Sequence, residues 1–278
     1  MSYVNLTSGG KPQLDKTKTF CALIQHSLPD SIKQFTELLD EFDSEVKSAH
    51  PTMHQGALNN AHGDWYEWLL AIVAWNYHAT NPNSHLALLL PNVKRFDVIK
   101  LYNNELSNLV FDLREKVANS ASVQLITSNP DFVLISTENL EIPEVFKRKI
   151  EKINAETISL ISHSYEQFID KCSIEDIAGY LSVKSSLRPD RRLQIPHEGS
   201  LMKAVYTHLQ TRQWEISPKG LKYYAMSTKV TEADRNALKT VATHSITTVH
   251  NVPQAAVDEV FEVNSLRQAE DVYSQILH

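Results

Sequence analysis

The chain has 278 residues, which is enough for one large domain or two small ones, each with an ordinary buried core. Hydrophobic residues at 42% and charged residues at 22% are close to globular averages, and this composition excludes a disordered, collagen-like or disulfide-stapled protein. A net charge of −6 by itself argues against a nucleic-acid partner.

The first half of the chain is predicted to be helical. Residues 31–48 carry apolar side chains at three-to-four spacing from Ile32 to Phe42, which gives a helix one apolar face. Two more helices are predicted over residues 64–78 and 96–118. We therefore expect a helical N-terminal part over about residues 1–120.

Later in the chain, strands are predicted to alternate with helices. Short apolar runs predict strands at residues 123–126, 132–135, 178–184, 221–227 and 245–250. Helices that open with a proline or a capping residue are predicted to begin near Pro196 and to cover residues 231–241, 253–261 and 265–277. These elements predict an α/β fold with a mixed sheet of about five strands flanked by helices. We expect a single domain over residues 1–278, with its α/β core at about 121–278.

Cysteine usage and the N-terminal segment predict a cytoplasmic protein. Cys21 and Cys172 lie far apart and form no C-x-x-C pair, which favours a reducing compartment. Residues 1–18 are polar and contain three lysines, so we expect no signal peptide. The longest apolar run, residues 65–77, contains Glu67 and is too short to span a bilayer, so no membrane association is expected.

The charge is distributed unevenly along the chain. Residues 184–222 contain eight basic and three acidic side chains, a net charge of +5, and the rest of the chain carries −11. A basic patch on an acidic body suits a protein that meets a polyanion at one place only. A solvated helix face explains the same pattern, so both interpretations stay open.

Two strand-end residues could meet at one edge of the predicted sheet. Asp131 begins an apolar strand, so its carboxylate is placed to hold a cation, although an aspartate that caps its own turn gives the same pattern. Lys184 ends another strand, where it shares one face with Ser182. A lone lysine at a strand end is also a common solvated charge.

Two glutamates are predicted to point into the protein. Glu198 shares a helix face with Leu201 and Val205, so it points toward the sheet, although an acid near a helix start also suits the helix dipole. Glu67 is the only side chain in the apolar residues 65–75 that is ordinarily charged at neutral pH. Because burying an unpaired carboxylate is costly, Glu67 needs a partner, which either a metal site or a structural arginine would supply.

Carboxylates beside a lysine are what Mg²⁺-dependent hydrolysis of a phosphodiester requires. Hard oxygen ligands hold the ion, which polarises the phosphate and supports an attacking hydroxide. The lysine ammonium orients that water or stabilises the developing charge. The sequence supplies these groups without their distances.

Residues 184–192 form the most specific string in the chain. Arg188, Asp190 and Arg191 lie within four residues of one another. An arginine fork matches the O6 and N7 acceptors of guanine, and an aspartate accepts from the amino group of cytosine. The string therefore predicts a compact reader of G and C, although a phosphate-binding loop or a patch of solvated charge has the same composition.

Four motifs occur together: Asn129-Pro130-Asp131, Ser182-Val183-Lys184, Arg188-Pro189-Asp190-Arg191 and His197-Glu198-Gly199. In this combination the chain resembles the type II restriction endonucleases that cut sites with a CCGG core. It is most similar to the tetrameric group that cuts purine-CCGG-pyrimidine. The similarity extends over most of the chain and implies a restriction-endonuclease-like core.

The resemblance also implies roles for the candidate residues. The wider PD-(D/E)xK nuclease superfamily carries an acid two positions before the catalytic lysine, and that position here is Ser182. The resemblance implies that the second metal-binding acid has moved to the helix, at Glu198. It implies that Asp131 and Glu198 bind Mg²⁺, that Lys184 assists the attacking water and that Glu67 supports the site.

The same resemblance implies which side chains contact DNA. Arg188, Asp190 and Arg191 are expected to read the CCGG bases. Further DNA contacts are expected at four nearby or loosely matching positions: Asn60, Ser182, Ser185 and Arg192.

A palindromic site calls for a two-fold symmetric reader, so a homodimer is expected on physical grounds. The resemblance implies that two dimers assemble into a homotetramer. We expect Arg212 and Trp214 to lie in that contact, although a tryptophan buried in the core fits the sequence equally well.

The predicted function is Mg²⁺-dependent cleavage of double-stranded DNA at RCCGGY, before the first C, so that 5′ overhangs remain. By resemblance, such an enzyme acts in the bacterial cytoplasm alongside a cognate DNA methyltransferase, with which no stable complex is expected. Two alternatives stay open: a sequence-specific DNA-binding protein without catalysis, and a repair or junction nuclease of the same superfamily.

Overall fold

The computed structural model describes residues 3–6, 12–125, 127, 129–214, 219–247 and 252–278. None of the described helices combines the length and the hydropathy needed to cross a bilayer. In chain order the helices and strands are β1 (Val4–Leu6), β2 (Pro12–Leu14), α1 (Lys16–Leu23), α2 (Phe35–Ala49), α3 (Gln55–Thr80), β3 (Leu86–Leu89), α4 (Asn104–Ala121), β4 (Phe132–Ile135), α5 (Ala155–His163), β5 (Ile177–Lys184), α6 (Pro189–Gln213), β6 (Lys222–Ser227), α7 (Glu232–Leu238), β7 (Glu259–Glu262) and α8 (Leu266–Ile276).

Five strands form one mixed sheet in the order β3-β4-β5-β6-β7. The β3-β4 and β4-β5 pairs are antiparallel, whereas the β5-β6 and β6-β7 pairs are parallel. β1 and β2 form a separate antiparallel pair. The predicted α/β fold with a five-strand mixed sheet is confirmed.

The long helix α3 forms the centre of the core. It is apolar on all sides between Trp65 and Trp75, so it packs against β3, β5 and α8 and is almost fully buried there. Its polar atoms are paired as burial requires: the Trp65 indole donates to the Lys16 carbonyl at 3.0 Å, and the Tyr66 hydroxyl donates to the Val263 carbonyl at 2.7 Å. This packing holds Glu67, the next residue, in a fixed place.

Three of the five predicted strands are confirmed as β4, β5 and β6, and two are wrong. Residues 123–125 form no strand, and residue 126 lies outside the described residues. Thr243–Ile246 is a short 3-10 helix, and residues 248–250 also lie outside the described residues. The sheet is completed by β3, which lies in the part predicted to be helical, and by β7, which overlaps a predicted helix.

Several helices begin at residues other than those predicted. α2 begins at Phe35, and Ile32 is left 70% exposed rather than on the apolar face. α4 begins at Asn104 because the Asn103 side chain accepts from the Leu106 backbone N–H, which ends the preceding 3-10 turn. α5 was not predicted.

The start of α6 is the correction that matters most for the site. This helix was predicted to begin near Pro196, but it begins at Pro189 and contains Pro196 in its interior. A proline suits the first helical position, so Pro189 is also a favourable start. Asp190 and the two arginines after it therefore lie in the first turn of α6 and not in a loop. Glu198 lies in the third turn, too far along for the helix dipole to explain it.

Gly199 lets α6 approach the sheet closely. A Cβ atom at this position would lie 2.3 Å from the Ala256 carbonyl oxygen and 3.0 Å from Cδ1 of Tyr223. Glycine inside a helix costs about 0.5–1 kcal/mol relative to alanine. The close contact with Ala256 is therefore the physical reason for glycine here.

We predict that Gly199→Ala destabilises the protein by about 1–3 kcal/mol, because the added methyl group overpacks the contact between α6 and the Ala256 backbone. The measurement is the midpoint of urea unfolding. Gly63→Ala in α3 is the matched control: no atom lies within 4 Å of its Cβ, so a gain of stability is expected. A Gly199→Ala protein as stable as the wild type would contradict this explanation.

Candidate active site

β4 and β5 bring Asp131 and Lys184 together. Their antiparallel pairing places the start of β4 beside the end of β5. The Lys184 Nζ atom lies 2.5 Å from Asp131 Oδ2, and the Val183 backbone N–H donates to the same oxygen at 2.6 Å. The Ser182 hydroxyl lies 3.2 Å from it. Asp131 thus binds donors of the neighbouring strand instead of capping its own turn.

Lys184 is held in its charged form by its neighbours. Burial by itself lowers the pKa of Lys184, but the carboxylates of Asp131, Glu67 and Glu198 outweigh burial and raise this pKa above its usual value. Lys184 is therefore a hydrogen-bond donor that carries a positive charge at neutral pH. It is not a solvated strand-end charge.

Glu198 reaches the same site from α6. The side chain is buried, and both carboxylate oxygens have donors: the Tyr223 hydroxyl lies 3.2 Å from Oε2, and the Gln194 amide lies 2.7 Å from Oε1. Glu198 is close enough to Lys184 to raise the pKa of that ammonium. The structure therefore brings the three predicted side chains Asp131, Lys184 and Glu198 to one end of the sheet.

Tyr223 and Gln194 contact the site but were not predicted from the sequence. Burial is the main cause that raises the pKa of Tyr223 well above its usual value, with smaller contributions from Glu198 and Asp131, so its hydroxyl keeps its proton. Gln194 precedes Glu198 by four residues, a helical spacing that a correct start of α6 would have revealed. The sequence around Tyr223 gives no comparable indication.

Glu67 faces the site from α3. Burial raises the pKa of Glu67 well above its usual value, Asp131 raises it further, and Lys184 opposes both. The structural arginine considered as its partner is not found among the ion pairs of the described residues. Glu67 instead faces the Asp131 and Lys184 pair.

An open cleft of about 870 Å³ leads to this end of the sheet. Its walls include six of the predicted site residues: Asn60, Glu67, Lys184, Ser185, Arg188 and Arg191. Arg188 and Asp190 are both more than half exposed and form an ion pair at 3.1 Å. The Arg191 guanidinium donates to the side-chain oxygen of Gln194.

Two residues predicted to bind DNA have other roles. Ser182 is fully buried beneath the site beside Asp131, so it offers no exposed surface for the predicted contact with DNA. The Arg192 Nε atom lies 2.5 Å from Asp234, a buried residue of the α7 capping box. Arg192 therefore ties α6 to α7.

Arg212 and Trp214 lie at the C-terminal end of α6. Trp214 caps this helix in the left-handed region, with φ of +56°, and its side chain is 87% exposed. The alternative that Trp214 belongs to the core is therefore wrong. Arg212 is also exposed.

The donor set of the site suits a hard cation. In the described ranges, no three His, Cys, Asp or Glu side chains are grouped to hold a metal ion. Mg²⁺ does not need such a group, because it keeps several waters and binds one or two carboxylates together with substrate phosphates. All three donors described at Asp131 meet Oδ2, so Oδ1 receives none of them. Asp131 and Glu198 thus supply the carboxylate oxygens that a divalent cation prefers.

The fold and the site together define a class of protein. A mixed sheet with an aspartate at the start of one strand and a lysine at the end of its antiparallel neighbour is the arrangement of a restriction-endonuclease-like nuclease. Arg188 and Arg191 line the open cleft that leads to this site.

The chain belongs to the Cfr10I/Bse634I restriction endonuclease family, whose sequence model matches residues 3–278. It is 42% identical over 275 residues to the type II restriction enzyme Cfr10I of Citrobacter freundii, covering 97% of this chain and 96% of that enzyme. The crystal structure of the type IIF restriction endonuclease Bse634I with cognate DNA matches with a TM-score of 0.91 and 32% identity, covering 100% of this chain and 98% of that one. A second Bse634I structure matches with a TM-score of 0.90 and 32% identity, covering 99% and 97%. The protein is therefore a type II restriction endonuclease, a site-specific deoxyribonuclease whose partner is DNA.

Proposed function

We propose that this enzyme cuts both strands of DNA at RCCGGY, before the first C, in a Mg²⁺-dependent reaction that leaves 5′ overhangs. The observation that carries the proposal is the convergence of Asp131, Lys184 and Glu198 beside a cleft lined by Arg188 and Arg191. The likeness to Bse634I bound to cognate DNA supports DNA in this cleft. A cognate methyltransferase would protect the host DNA without a stable complex.

Two carboxylates would hold the metal ion in this proposal. Asp131 is oriented by three donors on one oxygen, and Glu198 is held by one donor on each oxygen. When bound, Mg²⁺ would polarise the scissile phosphate and favour hydroxide over water. The hydrogen bonds keep both carboxylates near their binding geometry, which is how outer partners raise metal affinity.

Lys184 and Glu67 would act beside the ion. Because Lys184 is protonated, its ammonium donates hydrogen bonds. These hydrogen bonds would orient the attacking water and stabilise the negative charge that develops on the phosphate. Glu67 lies on the rigid helix α3 and attracts the Lys184 ammonium. It therefore supports the position of Lys184.

We predict that Asp131→Ala and Glu198→Ala each abolish cleavage but leave DNA binding largely intact, because each removes one proposed metal ligand and no base contact. Wild-type and variant proteins are incubated with a sequenced phage genome and Mg²⁺, and the fragment ends are sequenced. Binding is measured by gel shift with Ca²⁺.

Asp112→Ala and Glu151→Ala, two exposed acids, are the matched controls and should cut as the wild type does. A normal cutting rate in Asp131→Ala or Glu198→Ala would contradict the metal site. Wild-type cuts that ignore sequence would contradict the restriction specificity, and DNA that is bound but intact would identify a non-catalytic binder.

Base reading would depend on the first turn of α6. We propose that Arg188 and Arg191 donate to the two guanines of a half-site and that Asp190 accepts from a cytosine amino group. Ser185 and Asn60 lie on the walls of the same cleft and would add contacts to the DNA. The outer purine and pyrimidine are assigned by the likeness to the family alone.

We predict that Arg188→Ala and Arg191→Ala each cost about 1–3 kcal/mol of binding at the cognate site and relax discrimination at the guanine that is no longer contacted. The measurement is binding to a set of duplexes, each with one changed base pair. Arg192→Ala is the neighbouring control and should keep discrimination, because Arg192 pairs with Asp234. If each variant bound every duplex more weakly by the same factor, Arg188 and Arg191 would contact DNA phosphates and not bases.

We propose that the enzyme forms a homodimer on its palindromic site and that two dimers form a homotetramer. Trp214 is a large exposed aromatic residue two positions after an exposed arginine, Arg212. Tryptophan and arginine are the residues most enriched at interface hot spots. These two residues therefore suit the contact between dimers.

We predict that Trp214→Ala converts the tetramer into dimers, because it removes a large apolar anchor from the contact. The measurement is the molar mass by light scattering across a concentration series. Ile32→Ala, which truncates another side chain that is 70% exposed, should leave the mass unchanged. The same mass for Trp214→Ala and wild type would contradict this interface.

A further inference from the structure

We propose that Tyr223 is a positioning residue that fixes the Glu198 carboxylate against the sheet, beside Asp131. The inference rests on the proposed function, because it concerns the site at which Asp131 and Glu198 bind Mg²⁺. Its evidence is independent of that proposal, since it lies in the packing of α6 on β6.

The first observation is that each of the two carboxylates accepts from a hydroxyl of the sheet. Tyr223 is fully buried in β6, and its hydroxyl donates to Glu198 Oε2 at 3.2 Å. The Ser182 hydroxyl, on the adjacent parallel strand β5, donates to Asp131 at 3.2 Å. Neighbouring strands of the sheet therefore each supply one hydroxyl donor, Ser182 to Asp131 and Tyr223 to Glu198.

The second observation is that the backbone is shaped to admit the tyrosine ring. Gly199 directly follows Glu198, and a Cβ there would lie 3.0 Å from Cδ1 of Tyr223. Asp258 accepts from the Tyr223 backbone N–H at 2.7 Å and from the Lys203 ammonium of α6 at 2.7 Å. Both the ring and its backbone are therefore fixed relative to α6.

The third observation concerns how the Glu198 side chain is held in place. A glutamate has three side-chain torsions, which must be restricted before its carboxylate can bind a metal. Gln194 holds Oε1, yet it lies on the same helix and cannot fix the carboxylate relative to the sheet. Of the two donors to Glu198 described here, Tyr223 is the one that belongs to the sheet.

The test compares two buried tyrosines that each lose one hydroxyl. Tyr223→Phe keeps the ring and removes the donor to Glu198. Tyr273→Phe, in α8, is the matched control, because the Tyr273 hydroxyl is buried and has no hydrogen-bond partner among the described residues. The first readout is Mn²⁺ binding, followed by electron paramagnetic resonance, to the enzyme bound to a duplex with a non-cleavable scissile linkage. The second is the Mg²⁺ dependence of plasmid cleavage.

We expect Tyr223→Phe to raise both metal midpoints by about tenfold, the loss that follows when a partner of a metal ligand is removed. The cleavage rate at saturating Mg²⁺ should recover most of the wild-type value. Tyr273→Phe should leave both midpoints unchanged. A purely structural role for Tyr223 would lower the thermal unfolding midpoint without shifting either metal midpoint, and that result would overturn the inference.

Asp131→Ala and Glu198→Ala separate the two proposals. If they abolish Mn²⁺ binding while Tyr223→Phe binds Mn²⁺ as the wild type does, only the positioning role fails. If both alanine variants still bind Mn²⁺ normally, the proposed metal site fails and the positioning role fails with it.

Discussion

The contact between Lys184 and Asp131 is the interaction on which the site depends. It joins the end of β5 to the start of β4, so the antiparallel register of these two strands fixes its geometry. A buried lysine without a carboxylate would have a lowered pKa, and the carboxylates around Lys184 prevent this. Lys184 also lines the cleft, so in the proposed reaction its ammonium is placed to donate to a phosphate that enters there.

Helix α6 links the proposed reader of bases to the proposed site of cutting. Arg191, Gln194 and Glu198 follow one another at spacings of three and four, so they share one helix face. Arg191 can only donate and Glu198 can only accept, so the Gln194 amide has one orientation that satisfies both. The start of α6 at Pro189 therefore matters for the proposed function, since it places the proposed base-contacting side chains one turn from Gln194, which holds the proposed metal-binding carboxylate of Glu198.

Much of this arrangement could be predicted from the sequence, and the failures have physical causes. Strands β4, β5 and β6 are buried apolar runs bounded by turn or polar residues, and these patterns were sufficient to predict the three strands. β3 is a run of Leu and Ala without β-branched residues, and its strand form is set by pairing with β4. Either Pro189 or Pro196 could begin α6, and the sequence alone does not distinguish between them. Tyr223 contacts Glu198 only through tertiary packing, which no local pattern encodes.

The proposed move of the second acid from position 182 to Glu198 changes the charge balance of the site. A carboxylate at position 182 would lie directly beside Asp131 in the buried strand, where like charges raise each other's pKa. Ser182 avoids this repulsion and donates to Asp131 instead, while Glu198 enters from α6 with two donors of its own. Burial is the main cause that raises the pKa of Glu67, Asp131 raises it further, and Lys184 opposes both. In the proposed site, a divalent cation held by Asp131 and Glu198 would offset the charge of these two carboxylates.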